Sequence, residues 1–157
     1  MSSQRPDGPR PVVIVSNRGP VSFRLDDAGR AQAHRGAGGL VSGLAPLVRH
    51  TDTLWIAAAI TDGDRVAATG GATVAEGFRV RLLSFDPATW QAHYDQVCNE
   101  ALWFAHHGLF DPVYAPAWPP GWVDQAWAAH RRVNASFARA IIDDAPPGAA
   151  VLVQDYH

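Results

Sequence analysis

Two short apolar runs in this chain each lead into polar residues that could hold a ligand. Val12-Val13-Ile14-Val15 is followed closely by Asn17-Arg18, and the apolar residues 150–153 are followed by Gln154, Asp155 and His157. A guanidinium at a strand end presents a planar fork of donors to a phosphate or carboxylate. A carboxylate in the same place can accept hydrogen bonds from sugar hydroxyls or serve as an acid or base. Between the two runs lies Gly36-Ala37-Gly38-Gly39, just ahead of a predicted helix over residues 40–49. Glycine lets a ligand come close to the backbone, and a helix start offers unpaired N–H groups that favour phosphate. The spacing is not that of a dinucleotide fingerprint, whose third glycine would fall at 41 where the chain has Val, and no P-loop lysine is present. Taken singly these features read as a surface Arg, a solvated loop Asp and a flexible turn. Their common position around the end of the first apolar run is what favours an anion site. Tyr94, Trp103 and Phe104, with His106-His107, add rings that could stack on the apolar faces of a sugar, although core packing accounts for most of them one by one.

Other arrangements carry less. Asp62-Gly63-Asp64 has the form of an acidic pair that could hold Mg²⁺ or Mn²⁺, but in a Gly- and Asp-rich segment turn chemistry is sufficient. His106 and His107 are adjacent and so diverge on a helix, a poor start for a zinc site. The single cysteine, Cys98, excludes an internal disulfide and a thiolate cluster. The expectation is therefore no metal and no other cofactor.

The elements that must position these groups follow from pattern. The chain has 157 residues, 47% of them hydrophobic, enough for a domain with a core. Its formal charge of −2 gives no basic field for nucleic acid. No segment has the apolar length to span a bilayer. With no signal-like start, a cytoplasmic location is expected. All 13 basic residues are Arg, a bias that a GC-rich genome would also produce. Residues 1–11 read as a disordered leader, and strands are expected at 12–15, 21–24, 31–34, 53–59, 79–85 and 150–153. The second and third flank a turn at Asp26-Asp27-Ala28-Gly29 and should form a hairpin. Helices are expected at 40–49, from Asp86-Pro87 towards His106, and at 122–142, where apolar residues at 123, 126, 127, 133, 137, 138 and 141 mark one face. Residues 108–121, with four prolines, should form a loop. The short apolar runs read as strands buried on both faces. The whole predicts an α/β fold: a Rossmann-like, mostly parallel sheet with flanking helices and an inserted hairpin. In such sheets ligands collect beyond the carboxyl ends of the strands.

Taken in order, the chain resembles the trehalose-6-phosphate synthases, retaining glycosyltransferases of two Rossmann-like domains (the GT-B arrangement). The matching pieces are Val13-Ile14-Val15-Ser16-Asn17-Arg18 with Pro20, Gly38-Gly39-Leu40, Leu54-Trp55, Tyr94-Asp95-Gln96, Asn99-Glu100-Ala101-Leu102-Trp103, Val133-Asn134 with Phe137-Ala138, and residues 151–157. The resemblance implies that residues 12–157 are part of the N-terminal, acceptor-binding domain and that the donor-binding domain lies outside this chain, which alone would be inactive. It implies two substrates, a nucleotide-glucose (UDP- or GDP-glucose) and the acceptor glucose 6-phosphate, with trehalose 6-phosphate as product and no metal. By the same resemblance, Arg18 grips the acceptor phosphate, Tyr94 and Trp103 line the acceptor pocket, Asp155 bonds acceptor hydroxyls, and Gly38 and Gly39 meet the donor pyrophosphate. The family's leaving phosphate is taken to help deprotonate the incoming hydroxyl. Two departures bear on the acceptor: Ile56-Ala57-Ala58-Ala59 stands where many members have a second aromatic residue, and Gln154 where they have His. A related transferase with another sugar or cyclitol acceptor, and a non-catalytic binding or regulatory domain, are the alternatives. A homo-oligomer stays open.

Overall fold

Val12–Ser16 (β1) is buried at every position, which in a strand requires a neighbour on each edge and a layer on each face. The computed structural model, which describes residues 10–36, 38–50, 52–109 and 120–157, supplies all four. β1 pairs in parallel with Thr53–Ala58 (β4) on one side and Ala150–Val153 (β7) on the other. Beyond β4 lies Phe78–Leu83 (β6), also parallel, and then Ala72–Ala75 (β5), antiparallel at the edge, giving the order β5-β6-β4-β1-β7.

Alternate side chains of a strand face opposite layers. Val12 and Ile14 therefore join Trp55, Ala57, Val80 and Leu82 against Val21–Leu25 (β2), Ala31–Arg35 (β3), Gly39–His50 (α1) and Asp62–Ala68 (α2). Val13 and Val15 join Leu54 and Ile56 against Phe137, Ala140 and Ile141 of Trp122–Asp144 (α5). Each fully buried Val or Ile contributes about 1.5–3 kcal/mol, so β1 and β4 anchor everything attached to their ends.

β2 and β3 form the expected antiparallel hairpin, apart from the main sheet. Asp86 caps Pro87–Gln91 (α3), its Oδ1 accepting from Thr89 N at 2.8 Å. The helix expected to run on towards His106 is wound in three pieces: α3, a π-helical segment Ala92–Leu102, and Trp103–His106 (α4).

Several expectations are corrected. The Gly- and Asp-rich segment after β4, read from its sequence as turn chemistry, holds α2 and then β5. Thr61 caps α2 with its hydroxyl on Asp64 N, and the Asp64 carboxylate reaches back to Thr61 N, a reciprocal box that starts a helix. The strand expected over 79–85 stops at Leu83. β7 is not buried on both faces: among the described residues it pairs only with β1, and Val151 and Val153 are exposed. On α5 the inward face carries Ala126, Ala129, Val133 and Ala140, whereas Trp127 and Ala138 lie outside it. Residues 1–9 of the expected leader, Ala37 of the glycine motif, and 110–119 of the expected loop lie outside the described residues.

Candidate functional site

The strand order places β4 and β7 on opposite sides of β1, so the chain reverses its direction of travel across the sheet at the carboxyl end of β1. A crevice opens at such a point. A cavity of about 650 Å³ lies there, lined among others by Arg18, Gly38, Gly39, Tyr94, Asp155 and His157. Five of the six residues singled out from the sequence thus converge. Trp103 is the exception: it is not among the lining residues, and its ring stacks on His107 at 4.3 Å.

The turn carrying Arg18 is tied to the core. The buried Trp55 indole donates from Nε1 to Ser16 Oγ at 2.8 Å, and Ser16 Oγ donates to the Arg18 carbonyl at 2.7 Å. Asn17 O accepts from Ala58 N at 3.2 Å. This leaves the exposed Arg18 guanidinium with no carboxylate or hydrogen-bond partner among the described residues, free to meet an anion. Asn17 Oδ1 is buried and likewise without a partner, at the rim of the same cavity. Removing the tie should be measurable. Ser16→Ala strands the Trp55 N–H, and a loss of about 1–3 kcal/mol in stability is expected, read as a lower urea midpoint. An unchanged midpoint would show that the tie holds nothing.

α1 begins against the cavity with Ser42 N bonded to Gly38 O at 3.0 Å. A Cβ built on Gly38 or Gly39 meets nothing within 4 Å, so neither glycine is required by packing and the space over them is open to a ligand. The hairpin walls the opposite side through Val21 and Ser22. It is fastened by the residues first considered as a metal pair. Asp64 is buried, and its carboxylate accepts from Phe23 N at 2.6 Å, Thr61 N at 2.9 Å and Ile60 N at 3.1 Å. Thr61 Oγ1 donates to Phe23 O at 2.6 Å, and Gly63 packs directly under that same carbonyl. Asp62 instead pairs with Arg65. The motif is a fastener, and its signal in the sequence was Thr61 three residues before Asp64.

The other wall is a ladder of rings. Phe85 stacks on Trp90 (5.6 Å), Trp90 on Tyr94 (5.6 Å), Tyr94 on His157 (5.4 Å) and His157 on Tyr156 (4.5 Å). It holds the segment after β7 against the π-helical turn. Asp155 takes a left-handed φ of 69°, a conformation Asp tolerates better than most residues, with Tyr156 N donating to its Oδ1 at 2.8 Å. His157 Nδ1 lies 3.4 Å from Asp155 Oδ2. Burial first, with help from Arg18, pulls His157 below its usual value against the opposing effect of Asp155. Among the described residues the site combines the Arg18 guanidinium, the Asp155 carboxylate, backbone N–H groups at a helix start and a stacked Tyr94, an arrangement suited to a phosphorylated polyol.

Comparison with known proteins bears on this geometry. The family model described as glycosyltransferase family 20 matches residues 10–157. An Aspergillus fumigatus protein named Alpha,alpha-trehalose-phosphate synthase (UDP-forming) 2 is 28% identical over 158 residues, covering 99% of this chain and 31% of its own length. A Trehalose-6-phosphate synthase of Mycolicibacterium vanbaalenii is 33% identical over 150 residues, covering 92% and 28%. Among solved structures, one described as trehalose-6-phosphate from E. coli bound with UDP-2-fluoro glucose superposes with a TM-score of 0.65 at 19% identity, over 94% of this chain and 28% of that one. An alpha,alpha-trehalose-phosphate synthase (UDP-forming) from Burkholderia vietnamiensis gives 0.63 at 18%, over 95% and 28%. At these identities the structural likeness establishes the fold. The chain thus spans 31% and 28% of the length of these two sequence relatives.

Proposed function

Because the chain belongs to glycosyltransferase family 20, we propose that residues 12–157 form the acceptor-binding part of an enzyme that transfers glucose from UDP-glucose to glucose 6-phosphate, giving trehalose 6-phosphate. The observation that carries this reading is the convergence of Arg18, Tyr94, Asp155 and the start of α1 on one cavity. Arg18 takes the acceptor phosphate and Tyr94 lies against the sugar. Asp155 and the unpartnered Asn17 Oδ1 accept from acceptor hydroxyls. The N–H groups at Gly38 and Gly39 receive the donor pyrophosphate. The relatives' names, UDP-forming, support uridine as the donor base over guanosine. In this reading the leaving phosphate assists deprotonation of the acceptor hydroxyl, and the site residues orient and desolvate. Trp103 is left out of the pocket. Among the described residues no helix is long and apolar enough to cross a membrane, and the buried, unpaired Cys98 fits a reducing cytoplasmic setting.

A second reading is favoured by one observation. Ala58 lines the cavity where an aromatic residue stands in many members, leaving room for a different polyol phosphate. Isothermal titration with glucose 6-phosphate, glucose and an inositol phosphate separates the two. The reading predicts glucose 6-phosphate binding at least about thirtyfold tighter than glucose, the worth of a charge-assisted contact of about 2 kcal/mol. Equal affinities for glucose and glucose 6-phosphate would overturn it. Tighter binding of the inositol phosphate would transfer the assignment to that acceptor.

A further inference from the structure

Behind the site, three metal-ligating side chains from two separate helical elements meet in the interior. We propose that His93, Cys98 and His130 form a zinc site that clamps the π-helical segment to α5, with the fourth position open to a water. The three ligand atoms lie within 4.8 Å of one another. His93 Nδ1 is 3.0 Å from His130 Nδ1, and Cys98 Sγ is 3.8 Å from each of those nitrogens. A tetrahedral zinc with its usual bond lengths sets N···N at about 3.3 Å and N···S at about 3.6 Å, so each separation is within a few tenths of an ångström of a liganded one. The sulfur is also 4.0 Å from His93 Nε2.

The winding of the chain explains the meeting. A π-helix closes on i→i+5 hydrogen bonds, which brings residues five apart onto neighbouring turns of one face. His93 and Cys98 are five apart in the π-helical segment. An α-helix would turn them away from each other. His130 comes from the facing side of α5, where it is half-buried.

A plainer account is a hydrogen-bonded histidine pair sharing one proton. It explains the 3.0 Å separation but not a thiol equidistant from both Nδ1 atoms. His93 and Cys98 are 1% and 0% exposed, so neither is a surface ligand. Burial, and secondarily His130, hold His93 down at about 4, neutral with a lone pair at pH 7. Burial, then Asp155, push the Cys98 thiol up to about 12, so the metal displaces one proton to solvent as it binds. An entry path exists: a second cavity of about 310 Å³, lined by His93, His130, Asn134 and Asp155, reaches the imidazole pair and supplies the open position. Thiolate and imidazole together suit zinc ahead of magnesium or calcium. This departs from the metal-free expectation, which weighed one cysteine against cluster motifs and overlooked two histidines that share no spacing pattern with it. It does not depend on which acceptor the neighbouring site takes.

The test is a cobalt(II) and zinc(II) titration of the metal-free protein. One equivalent of cobalt should produce a sulfur-to-cobalt charge-transfer band with strong visible bands of four-coordination. Zinc should displace it and raise the melting temperature. Cys98→Ser should abolish the charge-transfer band and weaken zinc by more than about a hundredfold. His130→Gln, at a half-buried position, should weaken zinc comparably with its circular dichroism unchanged, and it decides the matter if Cys98→Ser does not fold. His34→Gln, on the remote hairpin, should change nothing. No charge-transfer band in the folded parent protein would overturn the proposal, as would zinc affinity unchanged in the folded variants.

Discussion

Arg18→Ala should weaken glucose 6-phosphate binding by about 2–3 kcal/mol, roughly thirty- to a hundred-and-sixtyfold, while leaving the unfolding midpoint in place. The asymmetry follows from the structure. Arg18 is exposed and has no carboxylate or hydrogen-bond partner among the described residues, so its removal costs the folded chain almost nothing. The Trp55–Ser16–Arg18 tie runs through the Arg18 backbone carbonyl and survives the substitution. The loss is confined to the ligand, whose phosphate forfeits a charge-assisted contact. Arg18→Lys should recover part of the affinity, since the charge remains but the two-pronged geometry does not. Isothermal titration checks both. Equal affinity for glucose 6-phosphate in the parent and in Arg18→Ala would remove Arg18 from the site.

Asp64→Ala should have the opposite signature, a stability loss of about 3 kcal/mol or more. Three backbone N–H groups donate to this carboxylate. Water can replace the acceptor for Ile60 and Thr61, which are partly buried, but not for the buried Phe23 N–H. A buried donor left unpaired costs about 1–3 kcal/mol, and lost hydrogen bonds to a charged group about 1.5–3 kcal/mol each. The α2 capping box goes with it. Asp64→Asn keeps one accepting oxygen and should lose about half as much. Because the carboxylate fastens the hairpin, acceptor affinity should fall in parallel with stability. Urea unfolding measures the first effect, and a midpoint within error of the parent would contradict the role given to Asp64.

These two residues also mark what could be read from the sequence and what could not. The place of Arg18 was legible because β1 is a continuous β-branched run ended by Gly and Pro, the pattern of a buried strand with its next residues at a sheet end. Asp155 and the glycines before α1 were legible for the same reason: each is defined by its place at an element's end. Asp64 was misjudged because Asp-Gly-Asp is equally good turn chemistry. The deciding fact, the Phe23 backbone pressed against Gly63, lies about forty positions away in the chain. β7 has the composition of a buried strand, yet burial is set by neighbours: among the described residues its one strand partner is β1, and Val151 and Val153 stay exposed. The meeting of His93, Cys98 and His130 depends on a π-helical winding and on the placement of α5, neither of which leaves a periodic trace. Trp103, placed in the pocket by resemblance, is not among the residues that line this cavity, and its ring stacks on His107.

The central claim is that the carboxyl end of β1 is an acceptor-phosphate site. It is tested most directly by a two-dimensional ¹H–¹⁵N NMR titration of the labelled protein with glucose 6-phosphate. The account predicts saturable shifts at the amides of Asn17, Arg18, Tyr94 and Asp155 and at Arg18 Nε, with glucose alone leaving Arg18 Nε unmoved. Shifts that are absent, that cluster away from this cavity, or that glucose reproduces at Arg18 would contradict it.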